Sequence, residues 1–101
     1  MIARIWHGIT ESKDADEYLG YIKKTGVTDA TGTEGNRGVY VLREIEGDKA
    51  HFIFISFWSS TEAIGRFAGS EIERARCYPE DEKFLLKLEP FVEHYEVLVK
   101  P

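Results

Sequence analysis

Residues Ile2 to Ile9 alternate, with Ile2, Arg4 and Trp6 on one side and Ala3, Ile5, His7 and Ile9 on the other. A period of two with apolar side chains on both faces predicts a first strand. Thr10, Ser12 and Asp14 then offer capping oxygens, and Ala15, Tyr18, Leu19 and Ile22 recur at helical spacing until Lys23, Lys24 and Gly26 close the pattern. This predicts an amphipathic helix with basic residues at its negative end. Val27 to Arg37 is polar and aperiodic, a loop. Gly38 to Ile45 and Ala50 to Trp58 are β-branched and aromatic runs around Glu46-Gly47-Asp48-Lys49, an antiparallel hairpin. Ser59 or Ser60 caps a helix with Ala63, Ile64, Phe67 and Ala68 as its apolar face and Gly69 as its interruption. Glu71 to Tyr78 continues helically through Ile72 and Ala75, with Glu71, Glu73, Arg74 and Arg76 as a solvated face. Pro79 stops that segment and starts another helical turn with Phe84, Leu85 and Leu88 as its apolar side, ended by Pro90. Val92 to Val99 alternates again, a fourth strand.

The order β-α-β-β-α-β is the ferredoxin-like, split βαβ arrangement of an α+β fold, an antiparallel sheet with helices on one face. The strands nevertheless carry large residues on both faces, as Phe52 and Phe54 against Ile53, Ile55 and Phe57 illustrate. A sheet face turned to water would not do this, so the sheet of a second subunit is the simplest cover and a homodimer is expected.

Composition narrows the possibilities. With 101 residues, 43% hydrophobic and 31% charged, residues 1–101 make one domain with one core. No apolar run approaches the roughly 20 residues of a membrane span, and Ser56 breaks even Phe52 to Trp58. Met1 to Trp6 alternates where a signal peptide needs an unbroken apolar stretch, so a cytoplasmic protein without a membrane partner is expected. The net charge of -5 comes from 18 acidic and 13 basic residues scattered along the chain, which leaves no basic stripe for nucleic acid. A single cysteine, Cys77, forms no internal disulfide.

Phe57-Trp58-Ser59-Ser60 leads from the third strand into a helix bearing Glu62-Ala63 and Phe67. In a β-α-β-β-α-β chain of this length, these residues resemble the antibiotic biosynthesis monooxygenase family of dimeric α+β barrel proteins, and the resemblance covers nearly the whole chain. It implies a homodimer whose sheets pack into a barrel, and in each subunit a pocket between sheet and helices. Enzymes of the family oxidise polycyclic phenols or quinols with molecular oxygen and no metal or flavin, a related branch degrades haem, and other members have no known activity. At the positions where the haem-degrading branch carries a ligand His, a Trp and an Asn, this chain carries Cys77, Phe67 and His7. The three departures argue against haem degradation, and the resemblance makes Phe67 a candidate substrate contact.

The residues themselves offer few groups for chemistry. His7, His51 and His94 lie on three strands without a ligand spacing, so no metal site is expected. The chain has no Gly-x-Gly-x-x-Gly turn, no phosphate-cradling loop and no Gly-x-Ser-x-Gly elbow, so no cofactor is expected. His7 shares its side with Ala3, Ile5 and Ile9; assigning that side to the helices makes it the candidate catalytic base, taking a phenolic proton from a substrate. A packed histidine satisfied by its neighbours is the plainer alternative. Trp58 ends a strand and opens a helix, where pocket mouths form, and is a candidate substrate contact; core packing is its alternative. Asn36 and Arg37 lie between Gly35 and Gly38, where Arg37 can fix an anionic or carbonyl oxygen or can simply be a solvated turn residue. Cys77 reads as an inert thiol.

Two functions follow from this reading. One is a cofactor-independent monooxygenase acting on an aromatic phenol or quinol with His7 as base. The other is a non-catalytic dimeric module of the same fold that binds a small hydrophobic molecule or only assembles. The side of the first strand that meets the helices separates them.

Overall fold

The computed structural model describes residues 1–87 and 89–100. Strand β1, Ile2–Glu11, passes through a 3₁₀ turn, Ser12–Asp14, into helix α1, Ala15–Ile22. Helix α1 buries Ala15, Tyr18 and Ile22, three residues of the sequence's apolar stripe. The chain does not leave the helix at Gly26, as the sequence pattern suggested. A π turn, Lys23–Val27, carries it into α2, Thr28–Thr31. Thr28 and Thr31, which read as loop residues, continue the helix instead, and the hydroxyls of Thr25, Thr28 and Thr31 donate to the carbonyls of Tyr21, Lys23 and Val27 at 2.8, 2.7 and 2.8 Å. Gly26 and Ala30 are thereby buried.

Strands β2, Asn36–Glu46, and β3, Lys49–Trp58, form the expected hairpin, closed by Gly47 at φ +59°. Helix α3, Thr61–Ala68, starts at Ser60, whose hydroxyl accepts the Ala63 N–H at 3.2 Å, and stops at Gly69, φ +91°.

The helix expected over 71–78 does not form. Arg74 makes a β-bridge with Phe91, the Ala75 N–H donates to the Pro90 carbonyl at 2.8 Å, and the Val92 N–H donates to the Glu73 carbonyl at 2.8 Å. Pairing with the returning chain satisfies the backbone groups that a helix would have used. The next helix, α4, is confined to Asp81–Phe84, and Leu85–Lys87 is strand β4 rather than helix. Leu88 lies outside the described residues. The last strand, β5, is Glu93–Glu96.

The sheet runs β2-β3-β1, and both β4 and β5 pair with the free edge of β1, at Ile9 and Thr10 and at Ile2 to Ile5 respectively. The fourth strand of the ferredoxin-like order is thus split in two. All pairings are antiparallel and the helices cover one face.

Register decides the faces. Residues directly opposite each other in an antiparallel pair point to the same side. Trp6 faces Phe54, Gly8 faces Phe52 and Ile2 faces Trp58, and these β3 aromatics lie in the core beneath the helices. His7 faces Ile53 on the opposite, open side. The assignment of His7 to the helix side is therefore corrected: Ile2, Arg4 and Trp6 meet the helices. Register is the cause: pairing with Phe52, Phe54 and Trp58 of β3, which lie in the core under the helices, puts Ile2 and Trp6 on that side.

Candidate functional site

Between the helix face of the sheet and the helices lies a cleft of about 50 Å³. Arg4 and Trp6 of β1, Phe54 of β3 and Phe67 of α3 form its floor and one wall. Tyr18 and Ile22 of α1 and Thr25 and Gly26 of the π turn form the other. Arg76 and Tyr78, from the irregular 69–80 segment, and Asp81 at the start of α4 complete the lining.

Local sequence explains each placement. The indole of Trp6 folds along β1 over Gly8, where a Cβ would run into its six-membered ring. At Gly26 a Cβ would approach the Phe54 ring edge at 3.2 Å, so a larger residue there would project into the cleft. Pro79 ends the irregular segment and leaves Asp81 in the first turn of α4, where its carboxylate accepts the Tyr78 N–H at 2.7 Å.

Two charged groups dominate the cleft. Arg4 is 3% exposed. Its Nη2 donates to the Arg74 carbonyl at 2.9 Å, its guanidinium lies 5.5 Å from the Phe67 ring centre, and its Nε has no hydrogen-bond partner among the described residues. Burial lowers its pKa to about 10, against a smaller opposing effect of Tyr78, so it stays charged at neutral pH. Asp81 is buried, and burial raises its carboxyl above the usual range despite the hydrogen bonds from the Tyr78 N–H and, at 3.3 Å, the Tyr18 hydroxyl. Burial and Asp81 in turn hold the Tyr18 phenol well above its ordinary value, so it acts as a donor. Arg76 has a partner: its Nη2 donates to Asp29 at 3.1 Å, as does the Tyr78 hydroxyl at 2.8 Å. It stacks on Phe67 and Tyr78 at 5.0 and 5.1 Å. The expectation that Arg76 belongs to a helix face is corrected, because the segment is not helical; Arg76 stays exposed at the rim of the cleft.

The sequence-derived candidates disperse. Phe67 lines the cleft. Trp58 does not: it is fully buried behind Phe67, ring centres 5.5 Å apart, with its indole N–H donating to the Ser56 hydroxyl at 2.8 Å. Asn36 accepts the Gly38 N–H at 2.9 Å and shapes the irregular start of β2. Arg37 is exposed beside Met1, Ser59 and Leu98, away from the cleft. His7 lies on the open face, where its Nδ1 donates to Glu89 at 3.1 Å. Cys77 is exposed. Arg4, Trp6, Tyr18, Tyr78 and Asp81 were not singled out as site residues from sequence. For Arg4 a signal existed, a charge between Ile2 and Trp6 on a strand with no polar face.

Among the described residues no group of three or more His, Cys, Asp or Glu side chains is arranged to hold a metal ion. No helix among them is long and apolar enough to cross a membrane.

No family model and no curated protein matches the sequence. Solved structures do match its shape. A variant of MhuD with two manganese protoporphyrin IX molecules per active site superposes with a TM-score of 0.62 at 18% identity, over 100% of this chain and 98% of that one. Rv0793 from Mycobacterium tuberculosis superposes with a TM-score of 0.61 at 16% identity, over 98% and 96%. The heme-degrader MhuD from the same organism, with two hemes bound in its active site, gives 0.61 at 18%, over 100% and 99%. The chain therefore shares, from end to end, the fold of these proteins: an antiparallel sheet with helices packed on one face.

Proposed function

We propose that the helix-side cleft binds a small aromatic phenol or quinol, and that the protein oxygenates it with molecular oxygen without a metal or flavin. The observation that carries this reading is Asp81: a carboxylate raised by burial, hydrogen-bonded to Tyr18, in a cleft walled by Trp6, Phe54 and Phe67. A carboxyl group made weaker as an acid is stronger as a base, and aromatic walls suit a flat ring. Asp81 takes the role assigned from sequence to His7. It accepts the phenolic proton, and the electron-rich phenolate then reacts with O2 at a ring carbon. One oxygen atom ends as the new ring carbonyl; the other leaves as water with the phenolic hydrogen and the hydrogen of the oxidised carbon. The solved complexes of MhuD support the coarser part of the reading, a site for a flat conjugated molecule, since that heme-degrader holds such molecules in its active site, and leave the phenol or quinol as our own inference from the cleft. Haem itself suits this chain poorly, because Cys77 is outside the lining and its thiol, exposed at the surface but partly desolvated, is pushed up by that desolvation, Asp81 and Glu82.

The assembly proposed with it is a homodimer through the open sheet face. There Tyr40, Leu42 and Tyr95 are 62%, 46% and 51% exposed around the half-buried Ile5, Ile53, Ile55 and Phe57.

A second reading, a non-catalytic dimeric module, draws on the cleft volume. About 50 Å³ is far below the roughly 300 Å³ at which small-molecule pockets begin. Binding a ring requires the 69–80 segment, which has a turn and a β-bridge but no helix, to move outward. An oxygen electrode with a panel of naphthols and hydroquinones separates the two readings. Oxygen uptake that falls by about a hundredfold or more in Asp81→Asn, with the fold retained, is expected. Absence of uptake across the panel leaves the module.

A further inference from the structure

We infer that the cleft selects an aromatic ring whose oxygen is held as an anion on the Arg4 guanidinium, either a carboxylate that arrives ionised or the phenolate left once Asp81 has taken the phenolic proton. This rests on the reading of the cleft as a ligand site and specifies what that site selects.

Four ionisable side chains other than tyrosine face the cleft or its wall, and three are satisfied. Asp29 holds Arg76 and the Tyr78 hydroxyl, and Asp81 holds Tyr18 and the Tyr78 N–H. Arg4 is the exception. It is buried, charged at neutral pH and without a carboxylate partner among the described residues, and its Nε donor is unused. An unpaired buried charge is costly, and buried donors in folded proteins nearly always find an acceptor. The nearest charges do not pair with it: His94, directly across from Arg4 on β5, is held below its ordinary pKa by burial and by Arg4, and Glu73, which acts on His94 in the opposite sense, makes no ion pair with Arg4. The cleft thus presents a desolvated cation with an open donor beside the Phe67 ring, the arrangement that recognises a ring with a carboxylate or phenolate oxygen.

The same geometry fits the proton transfer to Asp81. Once a bound phenol gives up its proton, the cleft holds a neutral acid at Asp81 and an anion at Arg4, and both charges are compensated. The alternative role for Arg4 is to pin the 69–80 segment to the sheet through the Arg74 carbonyl. That role gives no preference for a charged ligand.

The test uses the full chain and single-ring probes, because the cleft is narrow: benzoate and its neutral isostere benzamide at neutral pH. Titrations are followed by NMR at the Arg4 Nε–H and at the backbone amides of Gly26 and Phe67. Benzoate should bind about tenfold or more tighter than benzamide and shift the Nε–H resonance. Arg4→Lys should keep a preference for benzoate, and Arg4→Gln should lose it. Equal affinity in the wild type, with the Gly26 and Phe67 amides shifting for both probes, overturns the role of Arg4 and leaves the cleft as a ligand site. Binding of neither probe overturns the cleft reading and this inference with it. The wild-type comparison stands even if Arg4→Gln does not fold.

Discussion

His7 and His51 stack across the β1–β3 pair, ring centres 5.6 Å apart and planes 14° from parallel, on the sheet face that no helix covers. His51 Nδ1 lies 3.4 Å from His7 Nε2, and the pair ends at Glu89 on one side and Glu46 on the other. His7 Nδ1 donates to Glu89, and the facing nitrogens of His7 and His51 share a hydrogen whose side depends on the tautomer of His51. Both rings therefore have partners outside the cleft. His7→Ala and His7→Asn should leave any oxygen-dependent turnover within about twofold of wild type, since a ring on the far side of the sheet from the cleft takes no part in proton transfer there. An oxygen-electrode rate reduced by about a hundredfold in both variants would return the catalytic role to His7.

The open face predicts the assembly. Light scattering at micromolar concentration should give twice the 11.6 kDa of the chain. Ile53 sits at the centre of that face, opposite His7 and Leu42, so Ile53→Lys should give the monomer mass without loss of the circular dichroism signal. A monodisperse wild-type monomer contradicts the barrel.

Trp58 is a stability residue. Trp58→Ala removes a fully buried indole and leaves the Ser56 hydroxyl without its donor, which costs about 3–5 kcal/mol. Urea unfolding should register most of that loss. A change below about 1 kcal/mol would place Trp58 outside the core.

His94 sets a pH dependence of known sign. Burial first, and the Arg4 charge second, hold its pKa below the ordinary 6.5. The unfolded chain therefore takes up the proton more readily than the folded one. The stability contribution is whole above about pH 6.5 and is lost as pH falls through the lower folded value. His94→Gln should flatten urea midpoints across this window. Parallel curves for variant and wild type would contradict the assignment.

Much of this architecture was legible in the sequence, because alternation on the strands and the stripe of α1 are local signals. The helix-side face of β1 was not. Its two sides are nearly equal in apolar content, and only pairing with Phe52, Phe54 and Trp58 on β3, more than forty residues away, chooses between them. The 71–78 segment misled for a related reason: its spacing suits a helix, but Phe91 and Val92 return to claim its backbone. Threonine cost the α2 extension, since its side-chain donors support a helical end as well as a loop. The cleft residues Tyr78 and Asp81 were hidden because their roles arise from a hydrogen bond between them and from Tyr18, sixty-three positions away.

One measurement tests most directly whether oxygenation occurs in the helix-side cleft. Gly26→Leu places a side chain between the π turn and Phe54 and fills the cleft, while Gly26 already has helical backbone angles that leucine adopts freely. Product formed under isotopically labelled O2, from the best phenol or quinol of the panel, is analysed by mass spectrometry for wild type and Gly26→Leu. The account predicts that the wild type places one labelled atom in each product molecule and that the blocked variant forms none above background. Equal labelled product from both, with Gly26→Leu folded, would place the chemistry outside the cleft and contradict the account.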